Sequence, residues 1–138
     1  MTYGIGMKTD KGLLFMSDTR TNAGVDNISV FKKMFTWAID GQSVTTILAA
    51  GNLATTQSLI SILDGFSDKH EDSPENLLNQ TSMFELARVV GRKLKEVIQS
   101  NSNSGQMADS SFHATLILVG QIKGDEPRIF MIYPEGNF

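Results

Sequence analysis

The sequence predicts an α+β domain built on antiparallel β-sheets flanked by helices. Three observations predict it. Strand-like and helix-like runs are segregated along the chain, in the order ββ-ββ-α-α-ββ, rather than alternating. Two tight-turn signals, Asp10-Lys11-Gly12 and Asp40-Gly41, each separate a pair of β-prone runs. One run, FHATLILVGQI (112–122), is apolar on both faces, as a central strand covered on both sides would be.

Taken in order, TYGIGMKT (2–9) and LLFMSDT (13–19) flank the first turn and form a hairpin. TNAGVDNIS (21–29) is a polar connector. KKMFTWAI (32–39) and SVTTILAAG (43–51) flank the second turn, so two successive hairpins of one antiparallel sheet are expected. The period changes at Gly51-Asn52. In NLATTQSLISILDGF (52–66), Leu53, Leu59, Ile60, Leu63 and Phe66 recur near helical spacing, with Asn52 suited to cap the start and Gly65 the end. SDKHEDSPENLLNQTS (67–82) is polar, contains a proline and predicts a surface loop. From Met83 to Gln99 a second helix carries Met83, Ala87, Val90, Leu94, Val97 and Ile98 on one stripe, with Arg88, Arg92, Lys93, Lys95 and Glu96 mainly off it. SNSNSGQMADS (100–110) is a linker. FHATLILVGQI, a turn at 123–126 and PRIFMIY (127–133) complete a last strand pair. Two helices can cover one face of the sheet, and no predicted element remains for the other. A second chain or a further segment is therefore expected to cover it.

All 138 residues read as a single domain, apparently truncated at its C-terminal end. The net charge of −3 provides no drive towards nucleic acid or acidic membranes. No apolar run approaches the roughly 20 residues of a membrane helix. No signal peptide is visible, so a cytoplasmic protein is expected. The absence of cysteine excludes disulfides, a cysteine nucleophile and thiolate metal sites in this chain. Of the two histidines, His70 sits in a polar run and reads as a solvated loop residue. His113 lies in an apolar run and reads as a packed one. No metal and no organic cofactor are expected.

Four places could carry chemistry. Thr2 becomes the N-terminus if Met1 is removed, and its own amine, with an ordinary pKa of about 7.7–8.0, could then take the hydroxyl proton. By itself Met-Thr is a common way for a chain to begin. Asp18, Thr19 and Arg20 end the second strand where it enters a polar loop, although Asp18 and Arg20 read equally as a surface ion pair. Lys32 and Lys33 read as edge-strand charges unless one points inward beside Asp18. Gly51-Asn52 joins a strand to a helix start, where free N–H groups can hold an oxyanion or simply form a capped turn.

Together these residues, in the segments MTYGIG, SDTRTNAGVDNISVFKKM, AAGNLATTQSLIS and PRIFMIYPEGNF, resemble the bacterial Anbu (ancestral β-subunit) group. That group belongs to the proteasome β-subunit, N-terminal nucleophile hydrolases. The resemblance runs along the whole chain. It implies an αββα sandwich, of which this chain holds an incomplete N-terminal portion, and a threonine-type endopeptidase acting on peptide or unfolded protein. By motif match Thr2 would be the nucleophile, with Asp18 and Lys33 as the charge pair beside it. Arg20 would support the loop, and Gly51 would provide the oxyanion N–H. Thr21, Phe31, Ala49 and Leu53 would line the substrate pocket. A homo-oligomeric ring or spiral, with an unidentified unfoldase as a further partner, is the family expectation. Gly4 stands where members commonly have cysteine, and members continue beyond Phe138. The alternative is a non-catalytic assembly subunit or an inactive fragment. A small-ligand domain binding anions at Gly51-Asn52 is a third reading, and the chain has no GxxxxGK[ST] phosphate loop to support it.

Overall fold

The computed structural model describes residues 2–22, 28–69, 76–102 and 109–138. Strands β1 (Gly4–Thr9) and β2 (Gly12–Ser17) form an antiparallel hairpin, in register from Gly4↔Ser17 to Thr9↔Gly12. Strands β3 (Arg20–Asn22) and β4 (Ile28–Val30), at the two ends of the expected connector, form a short ribbon. A four-stranded antiparallel sheet follows in the order β5 (Met34–Ile39), β6 (Ser43–Gly51), β7 (Ala114–Ile122), β8 (Arg128–Ile132). Of the run 112–122, residues 114–122 become a central strand, as its two apolar faces predict.

Helices α1 (Leu53–Lys69) and α2 (Met83–Ser102) cover one face of this sheet, α1 against β6 and α2 against β7 and β8. Their stripes (Leu59, Ile60 and Leu63; Met83, Ala87, Val90, Leu94, Val97 and Ile98) are buried against Ile47, Ala49, Leu116, Leu118 and Ile132. Asp125, in the β7–β8 turn, accepts from the Met83 N–H at 2.8 Å and so caps α2 from outside the helix. Among the described residues no helix is long and apolar enough to cross a membrane.

The two predicted hairpins do not share a sheet. β1–β2 is a separate layer stacked on the face of the four-stranded sheet opposite the helices. A Cβ placed on Gly6 would stand 3.4 Å from side-chain atoms of both Ile117 and Val119, so the lack of side chains on β1 brings the two sheets together. The face expected to lack any cover is therefore covered in part. The unpartnered apolar surface moves one layer outward, to Met7, Leu14 and Met16 on the other side of the hairpin, each about half exposed.

Helix α1 continues past Gly65 to Lys69, so Gly65 is an interior helical residue rather than a terminator. A Cβ there would meet nothing within 4 Å. Gly65→Ala should consequently stabilise the protein by about 0.5–1 kcal/mol, since glycine in mid-helix loses backbone entropy that alanine does not. The check is a rise in the urea midpoint at unchanged m-value.

Candidate active site

The site is built where β1, β2, β5 and β6 converge. Past the last hairpin pair, the Asp18 N–H donates to the Tyr3 carbonyl (3.0 Å), and the Tyr3 N–H donates back to Asp18 Oδ1 (2.8 Å). This double tie fixes the chain beside Thr2. The Arg20 N–H donates to Asp18 Oδ2 at 3.2 Å. β5 begins at Met34 rather than Lys32. The Lys33 carbonyl still accepts from the Ala49 N–H at 2.9 Å, extending the ladder by one bond, while its side chain turns inward.

Lys33 is 8% exposed. Its Nζ donates to Thr2 Oγ1 (3.2 Å), to Asp18 Oδ1 and Oδ2 (3.1 and 2.9 Å) and to the Arg20 carbonyl (2.6 Å). Thr2, Asp18 and Lys33 thus form one hydrogen-bonded cluster. Arg20 joins it through its main chain, and no ion pair joins its exposed side chain to Asp18. Lys32 lies outside the cluster, with its ammonium over the Phe35 ring.

The Asp18 carboxyl is held below the usual aspartate range, first by the Tyr3 N–H and then by Lys33. A depressed folded value stabilises the native state at pH above the unfolded value of about 3.9. That contribution disappears as pH falls through the lower folded value. The stability deficit of Asp18→Asn should accordingly be full at pH 6 and shrink below about pH 4. Denaturant midpoints of wild type and variant across pH 2.5–6 check this; a deficit that does not change with pH would contradict it.

Gly51 ends β6 opposite Ala114 with φ +114°. The Asn52 N–H donates to His113 O and the Ala49 N–H to Lys33 O, so strand alternation turns the Gly51 N–H to the side on which Lys33 lies. Asn52 caps α1, accepting from the Thr55 N–H at 3.0 Å, and its amide donates to Ser111 O at 2.8 Å. His113 is exposed rather than packed. It lies just before β7. His70 lies outside the described residues.

A cleft of about 160 Å³ opens beside the cluster. Its floor is the sheet face formed by Leu48, Ala50, Thr115, Ile117 and Met131. Gly4 and Ser17 of the hairpin roof it, and Thr2 and Ala49 complete the lining. Of the residues expected to bind substrate, Ala49 belongs to this lining. Phe31 and Leu53, both half-buried, do not. The Thr21 main chain pairs with Ser29 in the β3–β4 ribbon, and its side chain lies outside the described set. Sequence reasoning missed Ser17, Thr115 and Met131. Period-2 alternation along their strands was the available signal, and it becomes readable only once the hairpin is known to stack on that face. Among the described residues no three His, Asp or Glu side chains group closely enough to hold a metal ion.

Neither a protein-family model nor a curated protein matches the sequence. Solved structures do. Anbu from Yersinia bercovieri is 42% identical over 100% of this chain, with a TM-score of 0.88. Anbu from Hyphomicrobium sp. strain MC1 is 40% identical over the same span, with a TM-score of 0.82. The chain belongs to the Anbu group. A helical assembly of the Anbu complex from Pseudomonas aeruginosa matches at 34% identity and a TM-score of 0.85. This chain spans 55% of each of these three Anbu chains and corresponds to their N-terminal portion. The α+β fold of antiparallel sheets and two helices matches the Anbu fold. Of an αββα sandwich it presents one helical layer and two sheet layers.

Proposed function

We propose that this chain carries the nucleophile half of a proteasome-like threonine peptidase. The observation that carries the reading is the Lys33 ammonium, buried and held by Asp18 within 3.2 Å of Thr2 Oγ1. A surface lysine would not be enclosed in this way beside an N-terminal hydroxyl. Met1 lies outside the described residues, and its removal frees the Thr2 amine.

In this reading the amine takes the hydroxyl proton, and the Lys33 ammonium stabilises negative charge developing on Oγ1. Oγ1 attacks the peptide carbonyl carbon, and the Gly51 N–H accommodates the oxyanion. The C–N bond then breaks, the amine's proton passes to the leaving nitrogen, and an ester remains on Thr2. Water cleaves the ester and restores the hydroxyl. Asp18 fixes Lys33, and the Arg20 carbonyl fixes another of its N–H donors. The substrate is peptide or unfolded protein, and Ala49, which lines the cleft beside Thr2, is a pocket residue. The active form is a homo-oligomer in the cytoplasm; the helical assembly of the Pseudomonas aeruginosa relative supports the oligomer.

A β-lactone tests the nucleophile. Intact mass should show one acyl adduct mapping to Thr2, absent from Thr2→Ala. An adduct elsewhere, or one that persists in Thr2→Ala, sinks the mechanism. A second reading is a non-catalytic assembly subunit, which the helical assembly of the Pseudomonas aeruginosa relative favours. In that case no adduct forms.

A further inference from the structure

The cleft beside Thr2 contains two groups that the mechanism above does not use. Ser17 and Thr115 are half-buried, and their hydroxyls make no hydrogen bond to another protein group among the described residues. Register places them on facing layers. Ser17 is opposite Gly4 on the inner side of the hairpin, and Thr115 is opposite Ala50 on the side of the sheet that meets it. Both line the same space as Thr2, which is about 160 Å³. That space is large enough to hold water, and a water there needs two to four polar partners. Ser17 Oγ, Thr115 Oγ1 and Thr2 Oγ1 are side-chain partners of that kind, set among the apolar Leu48, Ile117 and Met131. Gly4 keeps the space open: a Cβ there would lie 3.6 Å from Leu48 Cδ2 and 3.9 Å from Ile117 Cδ1, so any longer side chain would grow into it.

We infer that Ser17 and Thr115 are positioning residues for the water that hydrolyses the ester on Thr2, and that Gly4 keeps their cleft open to it. The inference rests on the threonine-peptidase reading. In the step, the water oxygen bonds to the ester carbonyl carbon while the Thr2 amine takes one water proton. The tetrahedral adduct collapses with cleavage of the bond between that carbon and Thr2 Oγ1. Oγ1 takes the proton back from the amine, and the acyl group leaves as a carboxylic acid that ionises in solution. No other reactant is needed. The attack on the peptide bond uses the Thr2 amine and the Lys33 ammonium rather than the Ser17 and Thr115 hydroxyls, so loss of those hydroxyls slows the second half-reaction more than the first.

The experiment is burst kinetics with a p-nitrophenyl ester of an N-acetylated peptide, on protein whose intact mass confirms loss of Met1. The burst reads acylation of Thr2, and the steady phase reads hydrolysis of the ester. Thr115→Val and Ser17→Ala should keep the burst rate within about twofold while the steady rate falls about tenfold to a hundredfold, the scale of a misplaced reactant. Thr115→Ser should recover most of it. Gly4→Val should lengthen the lifetime of the ester further, as read by intact mass. Unchanged steady rates in Thr115→Val, Ser17→Ala and their double variant, with a normal burst, overturn this inference alone. Equal loss of burst and steady rate in the folded variants also overturns it. Absence of any Thr2-dependent burst in wild type overturns the peptidase reading, and this inference falls with it.

Discussion

Lys33→Met should yield a folded protein whose Thr2-dependent peptide turnover has fallen by about 10²–10⁴-fold, the range associated with one proton-transfer or charge-stabilising group. Methionine nearly matches the length of the lysine stem, so the site is not left hollow. The charge that faces Thr2 Oγ1 at 3.2 Å is removed, and with it the stabilisation of an alkoxide there. Folding should survive because Asp18 is not stranded. It keeps the Tyr3 N–H at 2.8 Å and the Arg20 N–H at 3.2 Å, and its side chain is 29% exposed to water. Lys33→Arg is the sharper variant. It retains charge, but its planar fork does not reproduce a compact ammonium reaching Thr2 Oγ1, both Asp18 oxygens and the Arg20 carbonyl from one nitrogen. It should recover stability more than turnover. The measurements are kcat and KM with a fluorogenic peptide, alongside the urea midpoint. Wild-type kcat in Lys33→Met would remove Lys33 from the mechanism.

How much of this was legible in the sequence depended on the range of the interaction involved. The turns at Asp10-Lys11-Gly12 and Asp40-Gly41 were readable because turn chemistry is local; Gly12 and Gly41 have φ of +139° and +67°. Helix α2 was readable from its stripe, since burial at 3.6-residue spacing marks the sequence directly. The partition of strands between sheets was not readable, because a hairpin's own pattern does not say which layer it joins. β1–β2 stacks rather than pairs because of Gly4 and Gly6, two positions that look like weak strand residues until Leu48 and Ile117 are placed opposite them. The β3–β4 ribbon, at three residues a side, is too short for alternation to register.

In the site, residue chemistry alone left Lys33 as an edge charge. Its inward turn is set by Asp18, fifteen positions away, and by the Arg20 carbonyl, which any residue at position 20 would provide. Only the resemblance to Anbu proteins singled it out. Arg20 illustrates the opposite limit. Its type suggested a side-chain role, and the structure uses its backbone.

Gly51→Ala should be strongly destabilising, by about 3–5 kcal/mol, in the range of the larger single-residue effects. Two penalties combine. At φ +114° an alanine sits in a region that L-residues avoid. Its Cβ would also stand 2.5 Å from the His113 carbonyl oxygen and 2.8 Å from the Ala114 Cα, both main-chain atoms of the neighbouring strand and its lead-in. Those atoms cannot rotate away, so β6 and β7 must separate at this end. The separation stretches the Asn52 N–H···O His113 bond (2.9 Å) and the Asn52 amide bond to Ser111 O (2.8 Å), which together hold the start of α1. Gly12→Ala is the internal control. It has φ of +139° but nothing within 4 Å of the added Cβ, so it bears the backbone penalty alone, about 1–2 kcal/mol. Thermal unfolding should place Gly51→Ala about 10–15 °C below wild type and Gly12→Ala only a few degrees below it. Alanine keeps the N–H proposed to hold the oxyanion. Turnover of Gly51→Ala, measured well below its melting point, therefore reads displacement of that group rather than its deletion. If the two variants melt together, the strand end relaxes around the new methyl group and the clash at His113 is not what requires glycine at position 51.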